Sequence, residues 1–199
     1  MFALQAPVLI GVCWWQGDAL ALTEADIPVE QIQEPYGIAF WPEFERRDGC
    51  RTPMPWVSTQ PHAGFSGGRD VAPWLPVPAE HRAHAVDVND ADMSSPLNFM
   101  RLFLAWRKQQ PALVTGSIEF IDTPEPVLAL VRRPEAGQTA AAILAVFNLG
   151  SEPIEVDLGD APATRALQGH GFEGSLLASR SGQRLTLPAH AAYFGEMIA

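Results

Sequence analysis

Arg46-Arg47-Asp48-Gly49-Cys50-Arg51-Thr52-Pro53-Met54-Pro55-Trp56 sets three arginines and an aspartate against a turn, then closes on two prolines and an indole. Gly49 permits backbone angles that other residues resist. Pro53 and Pro55 fix φ and exclude helix around them. Charge is therefore held on a stiff, irregular loop, the kind of element on which binding groups sit. Arg51 carries a planar fork of donors suited to sugar hydroxyls or a carboxylate, and Trp56 offers an apolar face close by. A plainer reading stands beside this one: Arg47 and Asp48 form a solvated pair and Arg51 braces the loop.

Working outward, the loop is followed by Ala63-Gly64-Phe65-Ser66 and by Pro73-Trp74-Leu75-Pro76-Val77-Pro78. It is preceded by Trp14-Trp15-Gln16-Gly17-Asp18 running on to Ala25-Asp26-Ile27-Pro28, and by Glu34-Pro35-Tyr36-Gly37-Ile38-Ala39-Phe40-Trp41-Pro42-Glu43-Phe44. In order and spacing, this set resembles the α-glucosidase branch of the α-amylase family, glycoside hydrolase family 13, from about Ile10 to about Leu158. The resemblance implies the last strand and helix of a (β/α)8 barrel with long loops, followed by an all-β antiparallel sandwich. It implies residues 1–111 as the carboxyl-terminal part of the catalytic barrel and 112–199 as the β domain. By the same resemblance Arg51 serves the glucose-binding subsite, with Arg47 second in line, and Trp56 shapes the loop.

Two departures from the family pattern bear on this. The family's last barrel strand ends in Tyr-Gln-Gly-Glu-Glu, whereas this chain has Trp15-Gln16-Gly17-Asp18-Ala19, so two carboxylates become one shorter one. Gln16 and Asp18 fall at the carboxyl end of a barrel strand, the active face of such folds. They are read as supporting or loop-forming residues, Asp18 more readily as a turn cap. Where the family has Asn-Ala-Gly-Phe, this chain has His62-Ala63-Gly64-Phe65.

Composition narrows the alternatives. With 47% apolar residues over 199 the chain can build a packed core, and 16 glycines with 18 prolines predict long loops. A net charge of −10 disfavours a nucleic-acid backbone as partner, and the lone lysine, Lys108, leaves no basic cluster for an anionic membrane. No apolar run approaches the length of a membrane span, and Met1 to Ile10 lacks a basic leader and a small-residue cleavage site. The expected location is cytoplasmic. Cys13 and Cys50 read as reduced thiols, and the scattered histidines, His81 and His84 included, suggest no metal site. No cofactor is expected.

Along the chain, Pro7 to Trp15 is a continuous apolar run, read as a strand buried on both faces. Between Leu20 and Phe44 lie Glu24, Asp26, Glu30, Glu34 and Glu43, read as solvated loop acids, with Tyr36, Phe40 and Trp41 packing the loop down. Phe65 and Trp74 are expected to anchor the Pro- and Gly-rich coil from Thr59 to Glu80. Gly67-Gly68 lacks the strand-turn-helix context of a phosphate fingerprint. Ser95 as cap and Pro96 at the first helical position open the best helix, ended by Pro111 and expected to be largely buried. Beyond it, Ile118 and Phe120, Val127 to Val131, Ala140 to Phe147, Ile154 to Leu158, Leu185 with Leu187, and Ala191 to Ile198 predict short antiparallel strands.

The segments that carry the family's catalytic residues are absent. No Asn-His-Asp and no Gly-Phe-Arg-x-Asp occurs in the sequence. Glu24 and Asp26 on one short loop do not make the pair that a retaining glycosidase holds about 5–5.5 Å apart across the scissile bond. Residues with a direct catalytic role are therefore expected to be none. The expected function is the carboxyl-terminal portion of an α-glucosidase acting on terminal non-reducing α-glucosidic bonds, with an α-glucoside oligosaccharide as partner of the whole enzyme and association with the missing barrel portion. The isolated chain is expected to be inactive. The alternative is a non-catalytic β-sandwich module that binds glycans or supports a partner.

Overall fold

Pro96 starts the longest helix because its missing N–H and fixed φ suit a first helical position, and Ser95 does the capping. In the computed structural model, which describes residues 19–42, 48–66, 71–172 and 178–198, the amide of Asn98 donates to Ser95 Oγ at 3.2 Å, and that hydroxyl donates to the Asn89 carbonyl at 2.6 Å. Asn98 Nδ2 adds bonds to the carbonyls of Asn89, Asp90 and Asp92, so the turn before the helix is tied to its first coil. The helix, α4, runs Pro96–Lys108, after the short helices α1 (Pro35–Ala39), α2 (Ala79–Arg82) and α3 (Val86–Ala91). Pro111 ends it and opens a single turn, α5 (Pro111–Val114). Only one stripe of α4 is buried, through Met100, Phe103 and Trp106, while Leu102 and Leu104 are exposed. The expectation of a largely buried helix is corrected: apolar residues lie around its whole circumference, but only the stripe three residues apart is covered.

The described residues fall into two compact units, 19–100 and 101–198. The second is built on two antiparallel sheets. One has the order β1-β2-β3-β8-β5, from β1 (Ser117–Ile121), β2 (Val127–Arg133), β3 (Ile143–Asn148), β8 (Ala192–Met197) and β5 (Thr164–Ala166). The other has the order β4-β7-β6, from β4 (Ile154–Asp157), β7 (Arg184–Leu187) and β6 (Ser179–Ser181). The side-chain period of two divides the larger sheet cleanly. Val127, Ala129 and Val131 of β2, with Leu144, Val146 and Tyr193, share one buried apolar cluster with Val156, Leu185 and Leu187 of the smaller sheet. The alternate residues, among them Phe147 and Phe194, face the other way; Phe194 meets Phe103 and Trp106 of α4, and Phe147 packs edge-on against Phe194. Being covered on both sides explains why β2 and β3 read as unbroken apolar runs.

β5 and β6 were not legible in the sequence. Each is three residues long and mostly polar, and each is placed by side-chain bonds. Arg180 donates to the Ala161 carbonyl at 2.9 Å and to Thr164 Oγ1 at 2.8 Å, and the Thr164 hydroxyl meets Tyr193 Oη at 2.7 Å. β1 is the opposite case: it pairs with β2 along its length, yet Phe120 is 64% exposed and Ile118 is exposed beside it.

The first unit is mostly loop, with Ala25, Ile27 and Leu75 forming a small buried cluster. Several expectations are corrected here. Tyr36, Phe40 and Trp41 are exposed, and Tyr36 stacks on Phe40 with centroids 4.5 Å apart rather than entering a core. Phe65 and Trp74 are exposed too, and the coil is anchored instead by Ala63 and Leu75. The expected strand Pro7 to Trp15 and the pair Gly67-Gly68 lie outside the described residues. Among the described residues no helix is long and apolar enough to cross a membrane, and no cluster of three or more His, Cys, Asp or Glu could hold a metal ion.

Candidate functional site

Asp48 is the centre of the charged loop. It opens a short turn, Asp48–Cys50, and is 0% exposed, so the reading of Arg47 and Asp48 as a solvated pair is corrected. One carboxylate oxygen, Oδ2, accepts the backbone amides of Gln33 at 2.7 Å and Glu34 at 2.9 Å. A buried carboxylate must be hydrogen-bonded, and two amides from a distant loop supply that. The other oxygen, Oδ1, has no hydrogen-bond partner and lies 3.9 Å from a guanidinium nitrogen of Arg51. Arg51 also lies 3.9 Å from Glu34 Oε1. Both separations exceed a hydrogen bond, so Arg51 is aimed by two carboxylates without its donors being consumed. Its side chain stays 39% exposed.

Close packing fixes the neighbouring strand of loop. The Ala25 amide donates to the Gly49 carbonyl at 3.2 Å. A Cβ on Gly49 would stand 2.2 Å from the Ala25 carbonyl oxygen, so only glycine allows this approach. His81, buried, bridges the same region: Nε2 donates to the Thr23 carbonyl at 2.9 Å, leaving Nδ1 to accept the Thr52 hydroxyl at 3.2 Å. Three loops and one helix thus converge behind Arg51.

The far side of the loop is held by α2 and α3. Arg82 donates to the carbonyls of Ser58 at 2.9 Å and Gln60 at 2.8 Å. Asp87 accepts the Ser58 amide and hydroxyl, each at 3.0 Å, and the first of these bonds is the main reason its carboxyl titrates below the usual aspartate range. Backbone bonds from Val86 to Pro55 and from Asp87 to Trp56 complete the seam. His62 and Ala63 have φ of 48° and 50°, just ahead of Gly64 at 73°. Histidine and asparagine are both enriched at such left-handed angles, which is the backbone reason this position holds one where the family pattern has the other.

Of the residues singled out in the sequence, the structure brings Arg51 and Asp48 together with Glu34 and His81. Trp56 is half exposed on the same loop, its amide bonded to the Ala63 carbonyl at 2.8 Å. Arg47, Gln16 and Asp18 lie outside the described residues. Glu34 is corrected from a solvated loop acid: its side chain is 12% exposed and faces Arg51. Neither Glu34 nor His81 carried a signal in the sequence, because their partners lie 14 or more residues away. Cys50 is exposed and is not part of a disulfide.

Comparison with known proteins bears on this arrangement. Residues 6–116 match the family model described as alpha amylase, catalytic domain. The chain is similar to a probable alpha-glucosidase of Rhizobium meliloti, 41% identical over 188 residues, covering 94% of this chain and 31% of that protein. It is similar to trehalose synthase/amylase TreS of Mycobacterium tuberculosis, 33% identical over 161 residues, covering 76% of this chain and 26% of that one. Among solved structures, the alpha-glucosyl transfer enzyme XgtA superposes with a TM-score of 0.83 at 43% identity, over 99% of this chain and 36% of that one. The chain spans about a third of the length of these relatives or less.

Proposed function

The chain belongs to the alpha-amylase catalytic-domain family, and from that premise we propose that it is the carboxyl-terminal portion of an α-glucosidase acting on terminal non-reducing α-glucosidic bonds of maltose-like oligosaccharides. The observation that carries the reading is Arg51: a guanidinium held on a rigid loop, aimed by Asp48 and Glu34, with donors still free for a sugar. Its role is to bind and orient glucose hydroxyls, and Trp56 flanks it. Arg47 remains second in line for the same role, with Gln16 and Asp18 supporting the loop. The nucleophile and the acid/base belong to segments not contained in this sequence, so the chain alone does not hydrolyse a glucoside: without both carboxyls the covalent route does not exist. Residues 112–199 form the β domain of that enzyme. An α-glucoside oligosaccharide and the remaining barrel are its partners, and the cytoplasm is the compartment that suits its composition.

A glycan-binding β module is the poorer reading. Carbohydrate stacking calls for exposed aromatic faces, yet Phe147, Phe172, Tyr193 and Phe194 are buried and Phe120 stands alone.

The test is a chimaera in which the preceding two-thirds of the Rhizobium meliloti relative is joined to this chain and assayed on maltose and an aryl α-glucoside, with hydrolysis and transfer products separated. The chimaera should turn over, the 199-residue chain alone should not, and Arg51→Ala should cut kcat/KM by at least tenfold while Arg46→Ala leaves it nearly unchanged. Equal losses for the two arginines would remove Arg51 from the binding role.

A further inference from the structure

Leu167-Gln168-Gly169-His170-Gly171-Phe172 follows β5, and its two glycines bracket the histidine with φ of 83° and 85°. Both angles lie in the region that glycine reaches without strain. The paired turns drive His170 inward until it is 2% exposed, among the rings that join α4 to the larger sheet. Its ring centroid lies 5.3 Å from Trp106 on α4, 5.0 Å from Phe194 on β8 and 5.6 Å from Phe172. Phe103 and Phe147 close the group around Phe194.

The imidazole is neutral by its bonding. Nδ1 accepts the Phe172 amide at 3.2 Å, so the ring hydrogen sits on Nε2, which is buried and has no hydrogen-bond partner. No charged side chain belongs to the ring cluster. Among the described residues, the charged groups on the elements packed around it are Arg101, Arg107 and Lys108 on α4, Arg132 on the ring-facing side of β2, and Glu196 of β8, which is already paired with Arg165 of β5. A proton taken up by His170 must go to Nδ1, where it would confront the Phe172 amide hydrogen. It would also place a cation among hydrocarbon rings where, among the described residues, no carboxylate pairs with it.

We propose that His170 is an acid-sensitive latch: neutral, it locks α4 onto the five-stranded sheet, and protonated, it releases the helix. Burial holds the imidazole pKa below its ordinary 6.5, with the Leu167 backbone opposing part of that shift. The unfolded chain takes up the proton near pH 6.5, whereas the folded chain resists until a lower pH. The latch therefore contributes its full stability above about pH 6.5. That stability is lost as the pH falls from there to the lower folded value, by up to about tenfold in the folded-to-unfolded ratio per pH unit.

The experiment uses the 199-residue chain and two variants. His170→Asn keeps an acceptor for the Phe172 amide and cannot titrate; His170→Phe keeps ring volume and cannot titrate. In the wild type, the His170 ring proton signals should titrate with a midpoint below 6.5. Amide exchange across residues 101–108, corrected for intrinsic rate, should rise between pH 7.5 and 5.5. The variants, which keep every other histidine of the chain, should show a flat, corrected exchange over that range. A midpoint at or above 6.5, or the same pH response in wild type and variants, would overturn the latch. If neither variant folds, the wild-type midpoint alone decides.

Discussion

Asp48→Ala should loosen the loop knot behind Arg51 more than any other single change there. The carboxylate is fully buried, and its Oδ2 accepts two backbone amides at 2.7 and 2.9 Å. Hydrogen bonds to a charged acceptor contribute about 1.5–3 kcal/mol each. Both amides are only partly buried, so water recovers some of the loss, and about 2–4 kcal/mol should disappear from the stability of the unit. Asp48→Asn is the informative control. Both amides meet the same oxygen, so an asparagine can place its carbonyl there and turn its NH2 toward the site of Oδ1, which bonds to nothing. The backbone bonds survive, only their charge assistance is lost, and the cost should stay near about 1 kcal/mol. Urea titration gives both free energies, and amide exchange at Gln33 and Glu34 reports locally. If asparagine proves as damaging as alanine, the loop is held by the attraction between Asp48 and Arg51, and the two backbone bonds do not tie the knot.

Two further outcomes concern the β unit. Phe103→Ala deletes a fully buried ring that contacts Trp106, Phe172 and Phe194, and calorimetry should record a loss of about 3–5 kcal/mol; a loss under about 1 kcal/mol would mean the cluster collapses around the gap. A piece covering residues 101–199 should unfold cooperatively and at higher temperature than one covering 112–199, because only the longer piece keeps Phe103 and Trp106 against Phe194. Indistinguishable melts would show that the β domain needs nothing from α4.

What could be read from the residues depended on the range of the interaction. The start of α4 was legible because Ser95 as cap and Pro96 at the first position act on the adjoining turn. β2, β3 and β8 were legible because burial on one or both faces writes itself as a period or an apolar run. β5 and β6 wrote no such pattern: Arg180, fifteen or more residues from its acceptors Thr164 and Ala161, places them. The candidate site divided in the same way. Arg51 stood out through its own loop, whereas Glu34 and His81 join it from a loop and a helix that only the fold brings near. The exposed Tyr36, Phe40, Phe65 and Trp74 misled for the complementary reason. An aromatic residue in a loop carries no mark of which way it turns.

β1 has a consequence for handling the protein in solution. Among the described residues it ends the larger sheet, its outer row of amides and carbonyls facing no neighbouring strand, and Ile118 and Phe120 are exposed on one side of it. An edge of this kind templates the addition of any extended chain, which natural sheets avoid with charge, proline or a bulge. Glu119 is the only charge within the five residues, and Arg133 on β2 already neutralises it. A lysine in place of Phe120 is the economical way to a preparation that stays dispersed at high concentration.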